Sequence, residues 1–216
     1  MKKTNIIYRE ILEKCLINRK QKFIGRDLAR LLGVSPDTVS RALVPLKSIG
    51  AISMYPRHFE VINFKKVLLF FSVNRQLSKD MAYSTYVNVK SISSIEDKLP
   101  EGIAYTNYSG YTKNFSNDAA AYGEVYVYAT EFAVNEIKKR FPKSAVSRRS
   151  EYKNLFVMNA DYVLEKKIMG NNLIHSSVSL PQLYADLWNT ESWYAYEFLK
   201  KLEKRIDDVY ANAVLD

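Results

Sequence analysis

The amino-acid sequence predicts an α+β protein in two parts, residues 1–75 and 76–216, and three observations carry that reading. Residues 26–49, RDLARLLGVSPDTVSRALVPLKSI, have the build of two short helices joined by a tight turn. AISMY and HFEVI, on either side of Pro56 and Arg57, cluster apolar and β-branched residues as a short hairpin does. Charge divides at the same place. Residues 1–75 hold 15 Lys+Arg against 5 Asp+Glu and residues 76–216 hold 17 against 18, so the net charge of +9 belongs to the first part.

Taken in order, Ile6, Ile7, Ile11, Leu12, Cys15 and Leu16 recur at helical spacing and predict a first, amphipathic helix. Residues 20–24 are a loop or short strand. Leu28, Leu31 and Leu32 give a second helix its inner face, and Gly33 ends it, because glycine enters the left-handed turn without steric cost. A third helix opens with Ser35 as its cap, Pro36 at the first helical position and Asp37 at the positive end of the helix dipole. Val39, Ala42, Leu43, Leu46 and Ile49 line its inner side, which leaves Thr38, Ser40, Arg41, Val44, Lys47 and Ser48 pointing outwards. Pro45 removes a helical hydrogen bond and predicts a kink or an early end to the last turn. With the hairpin behind it, this order makes a winged helix-turn-helix whose third helix suits a DNA major groove.

The outward set has the chemistry for that role. Arginine pairs bidentately with guanine, hydroxyls serve either base edge, and a valine methyl meets thymine. Arg41 is therefore the expected base reader, flanked by Ser35, Thr38, Ser40, Val44 and Lys47, with Arg26 on the second helix and Arg57 and His58 at the tip of the wing. Helix-turn-helix segments also occur as plain packing units; the hairpin and the concentrated positive charge favour phosphate neutralisation instead.

In the second part the net charge falls to near zero and 14 of the 16 tyrosines appear. Short β-rich runs at 83–89, 103–105, 124–128 and 155–158 alternate with helical segments near 131–140 and 180–210, which predicts a mixed α/β domain. Leu183, Tyr184, Leu187, Trp188, Tyr196, Leu199, Leu202 and Ile206 supply apolar surface for a core. The longest apolar run, VLLFFSV at 67–73, falls short of the ~20 residues of a spanning helix and is expected as a buried strand or linking helix. A single cysteine, Cys15, excludes an intramolecular disulfide, and the N-terminus lacks the apolar segment of a secretory signal, so a cytoplasmic protein without a membrane partner is expected.

No phosphate loop, GxGxxG, HExxH or paired CxxC is present, so no catalytic residue, cofactor or metal is expected. His58 and His175 stand alone. Ser109, Gly110 and Asp118 supply part of a nucleotidyltransferase pattern, but no second aspartate follows at 124–128. Tyr105, Tyr108, Tyr111, Tyr126 and Tyr128 suggest stacking on single-stranded bases; without a basic excess around them, core packing is the better use. Lys138, Lys139, Arg140, Lys143, Arg148 and Arg149 form either a solvated face or additional phosphate contacts.

Residues 105–128, YTNYSGYTKNFSNDAAAYGEVYVY, together with SLPQLYADLWN at 179–189, resemble the C-terminal domain of the AbiEi-like antitoxins of type IV toxin–antitoxin systems, where it follows a winged helix-turn-helix. The resemblance covers the winged part and residues 103–200, and LYADL at 183–187 is its most specific piece. It implies a regulator that represses its own operon from promoter repeats and counters a co-encoded, nucleotidyltransferase-like toxin without a stable complex. The first part is longer and more basic than the resemblance requires, which leaves a regulator of another operon open.

The sequence thus leads to a sequence-specific double-stranded DNA binder, acting as a homodimeric repressor. The apolar run at 67–71 or the C-terminal helices would serve as its interface. The alternatives are a nucleic-acid-processing or nucleotidyltransferase-like enzyme targeted by the winged part, and a protein-binding adaptor.

Overall fold

The structure, a computed structural model, describes residues 1–115, 120–143, 152–173 and 176–214, with side chains as far as residue 210. It is a mixed α+β fold with two sheets. The chain opens with α1 (Lys3–Ile17), β1 (Lys22–Phe23), α2 (Gly25–Leu32), α3 (Pro36–Ser48), β2 (Ile52–Met54) and β3 (Phe59–Val61). The three strands form an antiparallel sheet in the order β1-β3-β2, with Met54 opposite Phe59 and Lys22 opposite Glu60. The Tyr55 N–H donates to the His58 carbonyl at 2.9 Å and closes the turn through Pro56 and Arg57, where the sequence predicts a hairpin.

Residues 67–73 are helical, within α4 (Phe64–Asn74), which starts where the Asn63 side chain accepts the Lys66 N–H at 2.9 Å. The second sheet follows: β4 (Met81–Thr85), β5 (Ile103–Thr106), β6 (Val125–Ala129) and β7 (Leu155–Asn159), in the order β4-β7-β6-β5. Within this sheet β6 and β7 pair in parallel and the other two pairs are antiparallel, and α7 (Glu131–Arg140) lies in the crossover that the parallel pair needs. Side chains of β6 alternate between faces. Tyr126 and Tyr128 point to α6 (Asn107–Phe115), α9 (Leu180–Trp188) and α10 (Trp193–Val214), whereas Val125, Val127 and Ala129 point to α7 and the short α5 (Ser93–Glu96). Both faces are covered, so β6 is apolar throughout. The remaining helix, α8 (Tyr162–Met169), places Leu164 and Ile168 in the same cluster as Tyr126. Among the described residues, no helix is long and apolar enough to cross a membrane.

One hydrophobic cluster runs from Ile6 to Ile206 and so joins both parts of the sequence. This changes the character of α1. The apolar spacing predicts an amphipathic helix, yet Asn5, Arg9, Glu10 and Glu13 are buried along with the apolar residues, because α3, α4, α9 and α10 all pack against the helix. Smaller departures have local causes. Leu31 is 58% exposed and Ala29 takes its place on the inner face of α2; Ile49 lies just past the end of α3 and faces solvent. Pro45 does not end α3, which continues to Ser48, since the one hydrogen bond it removes lies in a turn already anchored by Leu43 and Leu46. Within the run at 67–71, Val67, Leu68 and Phe71 are buried, with α4 against α1 and α9, while Leu69 is 41% exposed and Phe70 half-buried.

The polar residues of α1 are buried because each meets a partner. The Arg9 guanidinium grips Asp161 with two parallel bonds of 2.7 and 2.8 Å and reaches the Gln182 side-chain oxygen at 3.3 Å. Asp161 in turn caps α8 by accepting the N–H groups of Val163 and Leu164 at 3.2 Å. Glu13 pairs with Lys167. At the end of α4, Arg75 bonds Asp80 at 2.5 Å and Asp186 at 3.2 Å, and Asp80 also holds the Met1 amino group at 2.9 Å. Asp186, fully buried, accepts further bonds from Thr106 (2.8 Å), Tyr128 (2.9 Å) and Gln182 (2.9 Å).

Burial alone would raise the Asp161 carboxyl, but the Arg9 guanidinium and the Leu164 N–H outweigh it and hold the group below its ordinary value. Asp161→Ala removes the bidentate counter-ion of Arg9, leaves only Glu13 at 3.8 Å, and is expected to cost about 3–5 kcal/mol, measured by urea unfolding. A loss within error would remove this pair from the account of the fold. A depressed carboxyl contributes stability that is complete above the unfolded value of about 3.9 and is lost as pH falls through the folded value. The melting temperature of the native chain should therefore fall more steeply below about pH 4 than that of Asp161→Asn.

Candidate nucleic-acid interface

The turn between α2 and α3 is built from local chemistry. Gly33 takes the left-handed conformation (φ +61°), and the Val34 N–H returns to the Ala29 carbonyl at 3.0 Å to close the end of α2. Ser35 then caps α3: its hydroxyl accepts the Thr38 N–H at 3.1 Å and lies 2.8 Å from the Thr38 hydroxyl. Val39, Ala42, Leu43 and Leu46 are buried, which fixes the rotation of α3 and turns Ser40, Arg41, Val44 and Lys47 to solvent, with Thr38 half-buried. Among the described residues, no part of the second half covers this face: the Arg41 side chain is 72% exposed and Val44 65%. Arg26 is exposed on α2, and Arg57 is exposed in the hairpin turn.

Two of the expected residues carry attachments. The Arg41 guanidinium lies 2.7 Å from the Asp37 carboxylate, one turn earlier on the same exposed face. An exposed pair of this kind contributes at most about 1 kcal/mol, so a phosphate or guanine edge can displace Asp37 at small cost. His58 is held more firmly than a wing tip requires. Its ring stacks on Tyr55 at 4.6 Å and its Nε2 lies 3.1 Å from Glu60, which places it beside the sheet and leaves Arg57 as the residue that projects. Tyr55, 46% exposed, is an exposed aromatic beside His58 that the sequence reading does not single out; its position beside the turn proline is the available signal.

Behind this face, two tyrosines anchor the backbone of the pair of helices. The Tyr8 hydroxyl of α1 donates to the Ala42 carbonyl of α3 at 2.9 Å, and the Tyr162 hydroxyl of α8 donates to the Leu32 carbonyl at the end of α2 at 2.5 Å. Lys66 closes the other end, donating to the Ile49 carbonyl at 2.8 Å.

The other candidates resolve differently. Tyr105, Tyr108, Tyr111, Tyr126 and Tyr128 are all buried and cannot serve as stacking platforms. Burial pushes the Cys15 thiol up to about 12, which makes it unreactive. Lys138, Lys139 and Arg140 are exposed on α7, across the sheet from α1, with Lys139 on Glu136 and Arg140 on the Lys98 carbonyl. Ser109 and Gly110 are buried within α6 rather than in a phosphate-binding turn. Asp118, Arg148, Arg149 and His175 lie outside the described residues. Among the described residues, no cluster of three or more His, Cys, Asp or Glu side chains is arranged to hold a metal ion. Compared with known proteins, the chain matches no family model, no curated protein and no solved structure.

Ser35→Ala should lower stability by about 0.5–2 kcal/mol in urea unfolding, and Ser35→Asp should restore most of it, since a carboxylate caps the same donor. Equal losses in both variants would mean that the Ser35 hydroxyl serves something other than the cap.

Proposed function

We propose that the chain is a sequence-specific double-stranded DNA-binding transcriptional regulator. Residues 1–61 act as a winged helix-turn-helix, with α3 in the major groove and the β2–β3 hairpin as the wing. The observation that carries this reading is the uncovered outward face of α3, polar and basic, set by its buried opposite side and backed by an exposed hairpin arginine. The charge of the first 75 residues supports it, because phosphate neutralisation needs surface cations. In this reading Arg41 leaves Asp37 to pair with guanine, Thr38, Ser40 and Val44 meet neighbouring base edges, and Lys47, Arg26 and Arg57 meet phosphates. The protein acts in the cytoplasm, and two copies read half-sites about one helical turn apart. Of the two surfaces, α10 is the better dimer candidate: it exposes Trp193 (80%) and Tyr196 (63%), whereas the 67–71 run exposes only Leu69 (41%).

The resemblance to the AbiEi-like antitoxins extends the proposal to an autorepressor that counters a nucleotidyltransferase-like toxin encoded beside it. Its most specific run, at 183–187, is buried in α9, where Asp186 organises the interior. In this chain those residues support the fold that carries α3, and toxin neutralisation proceeds without a stable complex.

If six to ten phosphates are neutralised, affinity for a selected duplex should fall about 10³- to 10⁵-fold between 50 and 200 mM salt, measured by fluorescence anisotropy. A flat response overturns DNA binding. Arg41→Ala should cost about 1–3 kcal/mol and relax preference at one base pair, whereas Lys47→Ala should weaken all sequences alike. Unchanged preference in the Arg41 variant removes it as the reader. For the antitoxin reading, co-expression with the neighbouring gene should restore growth while the two products fail to co-purify. Growth arrest despite co-expression, or a stable complex, counts against it.

A further inference from the structure

Between α1, α6, α8, α9 and α10 lies a cavity of about 420 Å³, in the size range of small-molecule sites. Its walls are largely aliphatic and aromatic, with Leu16, Phe115, Leu164, Leu173 and Leu180 among them, and the exposed side chains of Ile17 and Val209 stand at its edge. Charged groups are present in the wall but already matched. Arg9 is committed to Asp161 and Lys167 to Glu13, so a charged ligand would find no counter-ion there.

Asn114, Ser177 and Gln182 are hydrogen-bonded as well, and the side-chain group left open is that of Ser179. The cavity touches the first turn of α9, where Ser179 provides no side-chain cap. Its hydroxyl oxygen is buried and has no partner among the described residues. Pro181 lacks an N–H, which leaves the Leu180 and Gln182 N–H groups as the donors of that turn. Aliphatic walls ending in unmatched donors fit an acceptor oxygen on an apolar body.

We infer that this cavity binds a small uncharged carbonyl compound (a ketone, ester or lactone with an alkyl body) and that its occupancy changes affinity for duplex DNA. The second clause rests on the DNA-binding reading above. The route for it is short. The cavity's walls belong to α1 and α8, and these helices carry Tyr8 and Tyr162, whose hydroxyls hold the backbone of α3 and the end of α2 at 2.9 and 2.5 Å. A ligand that shifts α1 against α8 therefore moves the two hydrogen bonds that orient the reading helix.

The test uses the full chain with octan-2-one, sodium octanoate and octylammonium, probes that share an alkyl body and differ in charge. Octan-2-one should bind saturably at one site by calorimetry and raise the melting temperature, with both charged probes at least tenfold weaker. Leu180→Trp, which fills the lumen, should weaken the ketone at least tenfold. Ile17→Trp, at the exposed edge, does the same without disturbing the core and keeps the test valid should the first variant misfold. No saturable ketone binding, binding indifferent to both substitutions, or tighter binding of a charged probe overturns the site. Duplex affinity is measured first without ligand, and saturating octan-2-one should then change it at least fivefold. Absence of any duplex binding overturns the DNA-binding reading and the regulatory clause while the site is judged by the calorimetry. Duplex affinity unchanged by bound ketone overturns the regulatory clause alone.

Discussion

Two guanidinium groups in the interior, Arg9 and Arg75, impose the constraint on which the rest of the structure depends. Each is about 2% exposed, and an unpaired charge at such a position is not tolerable. The carboxylates that bond them most closely come from the second half, Asp161 for Arg9 and Asp80 and Asp186 for Arg75, with Glu13 of α1 standing farther off at 3.8 Å from Arg9. Gln182 joins the two centres, accepting from Arg9 and donating to Asp186 and Tyr128. The result is a hydrogen-bonded chain from the Met1 amino group to the cap of α8. A bidentate fork tolerates little rotation, so this chain also fixes how α1 sits on α9, and through the Tyr8 hydroxyl how α3 sits on α1. The first 75 residues are therefore not an independent module on a tether; their first helix is part of the common interior.

That constraint explains what could and could not be read from the residues. Signals acting within a few positions were legible: the Ser35 cap, the Gly33 turn, the hairpin about Pro56, and the alternation of β6, whose strand runs at 125–129 against an expected 124–128. The burial of Asn5, Arg9 and Glu13 was not, because their partners lie in other elements, as far away as Asp161, and a local pattern carries no record of them. The polar side of α1 had the composition of a solvated face. α6 was hidden for another reason. It begins at Asn107 with a positive φ and contains Gly110, both poor helix signals, and it exists because Gly110 lets the Tyr105 carbonyl, Leu183 and Ser177 approach within about 3 Å of where a side chain would begin. The start of α8 was different: Asp161 ahead of YVLEKKIM is an ordinary cap signal, available and overlooked.

At the candidate interface, rotation was legible and attachment was not. The spacing of Val39, Ala42, Leu43 and Leu46 dictates which side of α3 faces out, and Ser40, Arg41, Val44 and Lys47 do face out. The Asp37–Arg41 pair had a visible spacing of four, but Asp37 had been assigned only to the helix dipole; it serves both. His58 illustrates the opposite case. A histidine at a hairpin tip suggests reach, whereas the ring is drawn back by Tyr55 across the turn, a contact that the hairpin creates, and by Glu60 two residues further along its own strand.

Burial might have been expected to dissipate the positive charge of the first half, and it does not. Among residues 1–75 the interior takes two cations, Arg9 and Arg75, and two anions, Glu10 and Glu13, so the excess of ten remains on the surface. The buried arginines draw their closest compensation from Asp80, Asp161 and Asp186, carboxylates that belong to the half with no net charge to spare. Interior pairing across the two halves thus leaves Lys20 and Lys22 at β1, Arg26 and Lys47 on α2 and α3, and Arg57 in the hairpin turn exposed, in excess of the surface acids of this half. A field of this kind acts over roughly a Debye length, about 8–10 Å at physiological salt, and attracts a polyanion before any specific contact forms. The same buried bonds that hold α3 in place therefore also keep the charge around it on the outside.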